Sequence, residues 1–321
     1  MISLNTKVAL PTNTPALTHE QRLMLLGSCF AENIGNRLLE NGFCCDVNPF
    51  GILYNPLSIA TALSRIMDGT PYAPQELFCD KGYWHSFMHH SCFSADTAQA
   101  TLDNINTRLE QAHQEIQSLN WLLMTWGTSY VYSLPESGQI VSNCHKLPER
   151  SFDRRRITPE EIVNHYVPLL DQLFAQNEQL HLLLTVSPIR HLRDGMHANQ
   201  LSKAVLLLAI DRLCELYPQR IVYFPSYEIV LDELRDYRFY ADDMIHVSTV
   251  GVDYLWERFA ETFFSKQTLQ IMNEYAAIQK ALTHRPFHPE SEQYQHFLKQ
   301  ITLKIERFND KYPKLARKIK L

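Results

Sequence analysis

Apolar positions along this chain follow two periods. Short uninterrupted apolar runs alternate with longer stretches in which apolar residues recur every three or four positions. The run Leu23-Met24-Leu25-Leu26 has no polar interruption, as a strand buried on both faces requires. It stops at Gly27, and Phe30, Ile34 and Leu38 then follow at near-helical spacing. A strand over 22–27 and a helix over 29–40 are therefore predicted. Residues 43–47 read as a second strand, and Pro49, Gly51, Asn55 and Pro56 mark a loop. A helix over 57–67 follows, then an irregular segment, 70–95, rich in aromatics and histidines. Asp96 is read as the cap of a helix running to about 119, ahead of a third strand, Trp121 to Trp126. Gly138 marks a hairpin turn, and Thr158-Pro159-Glu160-Glu161 has the cap, first-turn proline and acidic pair of a helix start. A fourth strand over 180–186, a helix over 198–217 and a fifth strand over 220–224 complete the alternation.

Such alternation predicts an α/β fold, a parallel sheet between two helical layers. From about 266 only helical periodicity remains. The expected organisation is one α/β domain over 1–265, with its insert at about 70–95, and a helical C-terminal extension over 266–321. That extension is read as a lid, a packing appendage or an oligomer contact, and its basic end, Lys311 to Lys320, as a solvated helical tail.

Composition narrows the classes. The 321 residues are 45% hydrophobic and 20% charged, as in ordinary soluble domains. A net charge of −5 gives no general pull toward nucleic acid or anionic membranes, so neither is expected as a partner. No stretch reaches the length of a transmembrane helix, and residues 1–20 lack the apolar core of a signal peptide. A cytoplasmic protein is expected. The seven cysteines form no Cys-x-x-Cys pair and read as reduced thiols. The ten glycines match neither dinucleotide nor P-loop signatures, and no cofactor is expected.

Two features carry candidate chemistry. Ser28 falls at the first strand-to-helix junction, on the edge where α/β sheets present side chains to ligands. A helix N-terminus there supplies free N–H groups for a developing oxyanion, although a simple capping serine would look the same. Far downstream, Asp243-Met244-Ile245-His246 sets a carboxylate three residues before a histidine. One turn or loop can then use Asp243 to orient the imidazole and stabilise its protonated form. The order Ser28, Asp243, His246 fits a serine nucleophile with its base near the end of the α/β region.

The stretch Gly27-Ser28-Cys29-Phe30-Ala31 reads GSCFA, and the chain resembles the GSCFA family, itself similar to SGNH/GDSL hydrolases. Asn48-Pro49-Phe50-Gly51-Ile52-Leu53-Tyr54-Asn55-Pro56, Trp126-Gly127-Thr128-Ser129, Asn143-Cys144-His145-Lys146 and Ser187-Pro188-Ile189-Arg190-His191 extend the resemblance over roughly 22 to 260. It implies an SGNH- or flavodoxin-like three-layer sheet and an esterase that removes a small acyl group, such as O-acetyl, from a carbohydrate-type substrate. An acyltransferase using the same serine, or a non-catalytic binding module, are the alternatives.

In SGNH enzymes the oxyanion donors are the nucleophile's N–H, a glycine N–H after the second strand and an asparagine after the third. Ser28 and Gly51 fit the first two roles. The third departs from the pattern, because Gly127-Thr128-Ser129 carries serine where asparagine is expected. Asn143 is expected to take that role, with Ser129 as the alternative. His90, His145 and Arg190 are expected to contact substrate. His85 and His89 share the i, i+4 spacing of a metal pair but lack a companion glutamate, so no metal site is assigned. Oligomeric state is not legible in the sequence.

Overall fold

The computed structural model describes residues 6–283 and 290–318, with side chains described as far as Leu315. Its centre is a five-stranded sheet of β1 (Arg22–Gly27), β2 (Cys44–Val47), β5 (Trp121–Trp126), β9 (His181–Val186) and β10 (Ile221–Tyr223). The spatial order is β2-β1-β5-β9-β10, and every pairing is parallel. This is the flavodoxin-like order, with its topological switch between β1 and β5.

The two faces of the sheet explain the apolar runs. Met24 and Leu26 join Leu122, Met124, Leu182 and Leu184 in one core. That core is closed by α2 (Pro56–Asp68), α3 (Ala98–Ile116), α4 (Pro159–Gln176) and α5 (Gly195–Leu216). Leu23 and Leu25 join Trp121, Leu123 and Leu183 in the other. That one is closed by α1 (Cys29–Glu40), by the π-helix (Ile229–Leu234) that continues the single turn α6 (Ser226–Glu228), and by α7 (Thr249–Phe263). Alternate residues of one strand enter opposite cores, so neither parity faces solvent. Truncating a fully buried leucine such as Leu26 to alanine would cost about 2–5 kcal/mol.

Helix ends follow their local sequence. Asn55 caps α2 by accepting from the Ser58 N–H at 2.8 Å, and Thr158 and Glu161 close a capping box on α4. The start of α3 differs from expectation. Thr97 is the cap, its hydroxyl accepting from the Ala100 N–H at 3.2 Å, one residue beyond Asp96.

The irregular segment contains a hairpin, β3 (Leu77–Asp80) and β4 (Tyr83–Ser86), turned by Lys81 and Gly82 at φ 50° and 83°. A second antiparallel sheet joins β6 (Tyr130–Ser133) to β7 (Ile140–Val141) and β8 (Asp153–Arg156). The charged sequence of β8 gave no strand signal.

C-terminal helices α8 (Lys266–Leu282) and α9 (Glu292–Lys311) share a small core of Ile271, Tyr275, Ile278, Ile301, Ile305 and Phe308. Lys311 pairs with Glu274 and Lys314 with Glu20, so part of the basic end is bound rather than free. Residues 319–321 lie outside the described residues.

Candidate active site

Strand β1 ends at Gly27, whose φ of 141° and close approach to the Thr125 carbonyl leave no room for a Cβ. The next residue, Ser28, caps α1, its Oγ accepting from the Phe30 N–H at 3.3 Å. The capping role and the position expected for a nucleophile therefore coincide in one residue. Ser28 is 1% exposed. Its own N–H donates to Thr125 O at a long 3.4 Å.

Asp243 and His246 sit on a loop pinched by a bridge between Tyr240 and Val247. The Asp243 Oδ1 accepts from the N–H groups of Ile245 and His246, each at 2.9 Å. Its Oδ2 meets His246 Nδ1 at 2.6 Å, which fixes the proton on Nδ1 and leaves Nε2 as the basic nitrogen. These three hydrogen bonds, the one to His246 foremost, pull the Asp243 carboxyl down to about 2, so it is ionised at neutral pH. Asp243 and His246 side chains are about half exposed. Among the described residues no hydrogen bond joins His246 to Ser28.

His246 lines a cleft of about 580 Å³ at the C-terminal edge of the sheet. Tyr54, His90, Tyr130, Asn143 and Arg190 line it too, whereas Ser28 does not. Asn143 Oδ1 accepts from the His145 N–H at 2.8 Å, which orients its amide. His90 caps a short turn through Nδ1 at 3.3 Å from the Cys92 N–H. Arg190 is committed to the loop that carries Asp243 and His246, its Nη2 donating to Met244 O at 2.6 Å while its guanidinium covers the Tyr240 ring at 4.1 Å.

Three expected contacts have other work. The Gly51 N–H, expected in the oxyanion hole, donates to Asn48 O at 2.7 Å and closes a turn at φ 75°. Ser129 is fully buried, with its N–H and hydroxyl both directed to Ser202 Oγ at 2.8 and 3.1 Å. His145, 8% exposed, donates from Nε2 to Ser86 O at 2.8 Å and meets Ser91 Oγ through Nδ1 at 3.1 Å. Burial holds that imidazole below its ordinary range, and it braces the insert instead of lining the cleft. His85 and His89 also serve the insert, bonding Ser94 and Ser86 respectively.

Sequence reasoning missed the inner face of α5. Asn199, Ser202 and Lys203 are 2%, 1% and 1% exposed. Asn199 accepts from the His191 N–H at 2.9 Å, and Ser202 holds Thr128 and Ser129. Lys203 Nζ donates to Gly127 O at 2.6 Å and Ser187 O at 2.7 Å. Three polar side chains thus tie together the loops that follow β5 and β9. A signal was present: they sit at i, i+3, i+4 on the same stripe as the buried Leu206, Ile210 and Leu213. Asn48 was also passed over, although its side chain accepts from the Gly27 N–H at 2.9 Å.

Known proteins bear on these observations as follows. A family model described as the GSCFA family matches residues 22–259, and one described as GSCFA domain protein, C-terminal domain, matches residues 275–318. None of the curated proteins matches the chain. Among solved structures, an acetyl xylan esterase from the rumen bacterium Butyrivibrio proteoclasticus matches with a TM-score of 0.35 and 10% identity, over 76% of this chain and 65% of that one. The chain belongs to the GSCFA family.

Proposed function

We propose that this GSCFA-family protein is a serine esterase that removes a small acyl group, O-acetyl for choice, from a carbohydrate-type substrate. The observation that carries the reading is the Asp243–His246 pair at 2.6 Å, built on the sheet edge at which Ser28 follows β1. An ionised Asp243 fixes the imidazole tautomer and stabilises the imidazolium that forms.

In this reading Ser28 Oγ bonds to the ester carbonyl carbon and passes its proton to His246 Nε2. Collapse of the tetrahedral intermediate expels the alcohol, which takes that proton from His246. Water then attacks the acyl-serine, giving its proton to the same nitrogen, and the carboxylic acid leaves with Ser28 restored. The oxyanion donors of this reading are the Ser28 N–H, which makes only a long bond in the free protein, and the amide of Asn143, which lines the cleft with His246. Substrate entry has to bring the 240–247 loop and Ser28 together, a tightening common between free and substrate-bound enzymes.

Tyr54, Tyr130 and Tyr132, with the Arg154–Asp194 pair at 2.6 Å, give the cleft aromatic faces and fixed hydrogen-bonding groups suited to a hydroxyl-rich substrate. A second reading, a non-catalytic binding module, is favoured by the 1% exposure of Ser28 and by the lack of a hydrogen bond between it and His246 among the described residues. Turnover of p-nitrophenyl acetate by wild type and Ser28→Ala, with fluorophosphonate labelling, separates the two. Turnover and labelling that both vanish in Ser28→Ala support the esterase. Equal behaviour of the two proteins supports the binding module. A competing alcohol acceptor then distinguishes hydrolysis from acyl transfer.

A further inference from the structure

We propose that the side-chain amide of Asn48 is an oxyanion donor of this site, in the place expected for the Gly51 N–H. The inference rests on the esterase reading above. Every other polar group of Asn48 is spent on shaping the β1 end. Its N–H donates to Leu25 O at 2.8 Å, its carbonyl accepts from the Gly51 N–H at 2.7 Å, and its Oδ1 accepts from the Gly27 N–H at 2.9 Å. The residue is 8% exposed and adopts a left-handed φ of 47°, a conformation asparagine tolerates better than most residues.

The remaining group is Nδ2. It is buried and has no acceptor among the described residues. A buried N–H left without a partner is destabilising, and an acceptor arriving with a ligand would recover that cost. Covalent geometry places Nδ2 beside Oδ1, and Oδ1 is anchored to the residue immediately before the nucleophile. The donor is therefore fixed beside the Leu26–Gly27 amide, one residue ahead of Ser28, before any substrate arrives, which is the preorganisation an oxyanion hole needs.

In the reaction no bond to Asn48 is made or broken. As Ser28 Oγ bonds to the carbonyl carbon, the carbonyl oxygen gains the π electron pair and accepts a hydrogen bond from Nδ2. The same strand-end turn explains why Gly51 is unavailable: its N–H closes the turn that holds Asn48 in position.

The test is Asn48→Asp, which keeps an Oδ1 acceptor for the Gly27 N–H and replaces the donor by a carboxylate oxygen. The expected result is a kcat about 100- to 1000-fold lower with KM little changed. Affinity for a trifluoromethyl ketone, which forms a tetrahedral adduct on serine, falls by a similar factor. Should the variant not fold, the wild-type protein still decides, since the Asn48 side-chain amide resonance must move downfield when the ketone is added. An active wild type with an equally active Asn48→Asp, or an amide resonance unmoved by an adduct formed on Ser28, overturns the role of Asn48 alone. A wild type with neither ester turnover nor Ser28 labelling overturns the esterase reading and this inference with it.

Discussion

Arg190 Nη2 donates to the carbonyl oxygen of Met244 at 2.6 Å, and the Arg190 N–H donates to Ile245 O at 3.2 Å. The loop after β9 thereby holds the loop that carries Asp243 and His246. Met244 is at φ 55°, the corner of that loop, and its carbonyl is turned toward the guanidinium rather than into the loop's own bonds. Stacking on Tyr240 fixes the guanidinium plane. Arg190 is on this geometry a positioning residue for His246.

Arg190→Ala should therefore lower kcat by about 10- to 100-fold, the order expected when a catalytic group is misplaced by about 1 Å. KM should move much less, and Arg190→Lys should recover little, because an ammonium cannot both stack and reach the carbonyl as the planar guanidinium does. Steady-state kinetics on ester substrates check this. A KM effect with kcat preserved would instead identify Arg190 as a substrate contact.

Asp243→Asn tests the pair from the other side. The amide can accept from the Ile245 and His246 N–H groups through its oxygen, so the loop keeps its shape. It cannot stabilise an imidazolium, and its NH₂ favours the tautomer with the proton on Nε2. The expected loss in kcat is on the order of 10⁴-fold at neutral pH. With Asp243 held down to about 2, its protonation leaves the wild-type rate untouched above about pH 4. A pH–rate profile limited by a group titrating near 4 would contradict this.

Much of this arrangement was legible in the chain. The apolar runs at 23–26 and 121–126 announced strands buried on both faces, because a parallel sheet leaves no solvated side to alternate with. Gly27, Ser28, Asp243 and His246 stood out because their spacing is local. What the sequence concealed depends on contacts between distant segments. Gly51 looked like a free donor because its bond to Asn48 arises from a left-handed turn that no spacing rule encodes. Ser129 looked available because its partner, Ser202, lies 73 residues away. His145 lay in a polar cluster in sequence, but a positive φ of 48° turns it back into the insert.

Gly27→Ala should unfold the strand end. A Cβ at φ 141° is strained in itself and would run into the Thr125 carbonyl and amide of the neighbouring strand, which cannot yield without opening the β1–β5 pairing. A destabilisation of about 3 kcal/mol or more is expected from this backbone conflict, measured as a lower midpoint in urea. An alanine variant within about 0.5 kcal/mol of wild type would show that the sheet edge relaxes freely.

Lys203 makes stability depend on pH in an uncommon direction. Its amine is fully enclosed beneath the sheet edge and pairs with no carboxylate among the described residues; the Tyr227 ring lies 5.6 Å away, and the nearby imidazole of His191 is itself held down to about 4, chiefly by burial. Burial pushes the Lys203 amine down to about 7 from an ordinary value of 10.5. The neutral amine loses nothing in bonding, since its two N–H groups match the two carbonyl acceptors, Gly127 O and Ser187 O. Between about pH 7 and 10.5 the unfolded chain binds a proton here that the folded chain does not. Stability must therefore rise with pH across that window, by up to about 5 kcal/mol, and the gain is absent below it. Lys203→Met, of similar length and never charged, should remove that slope while keeping the stem packed. Urea unfolding at pH 7 and pH 9.5 for both proteins measures the difference. Parallel curves for wild type and Lys203→Met would mean that the buried amine keeps its proton and that the two carbonyls hold it as an ammonium.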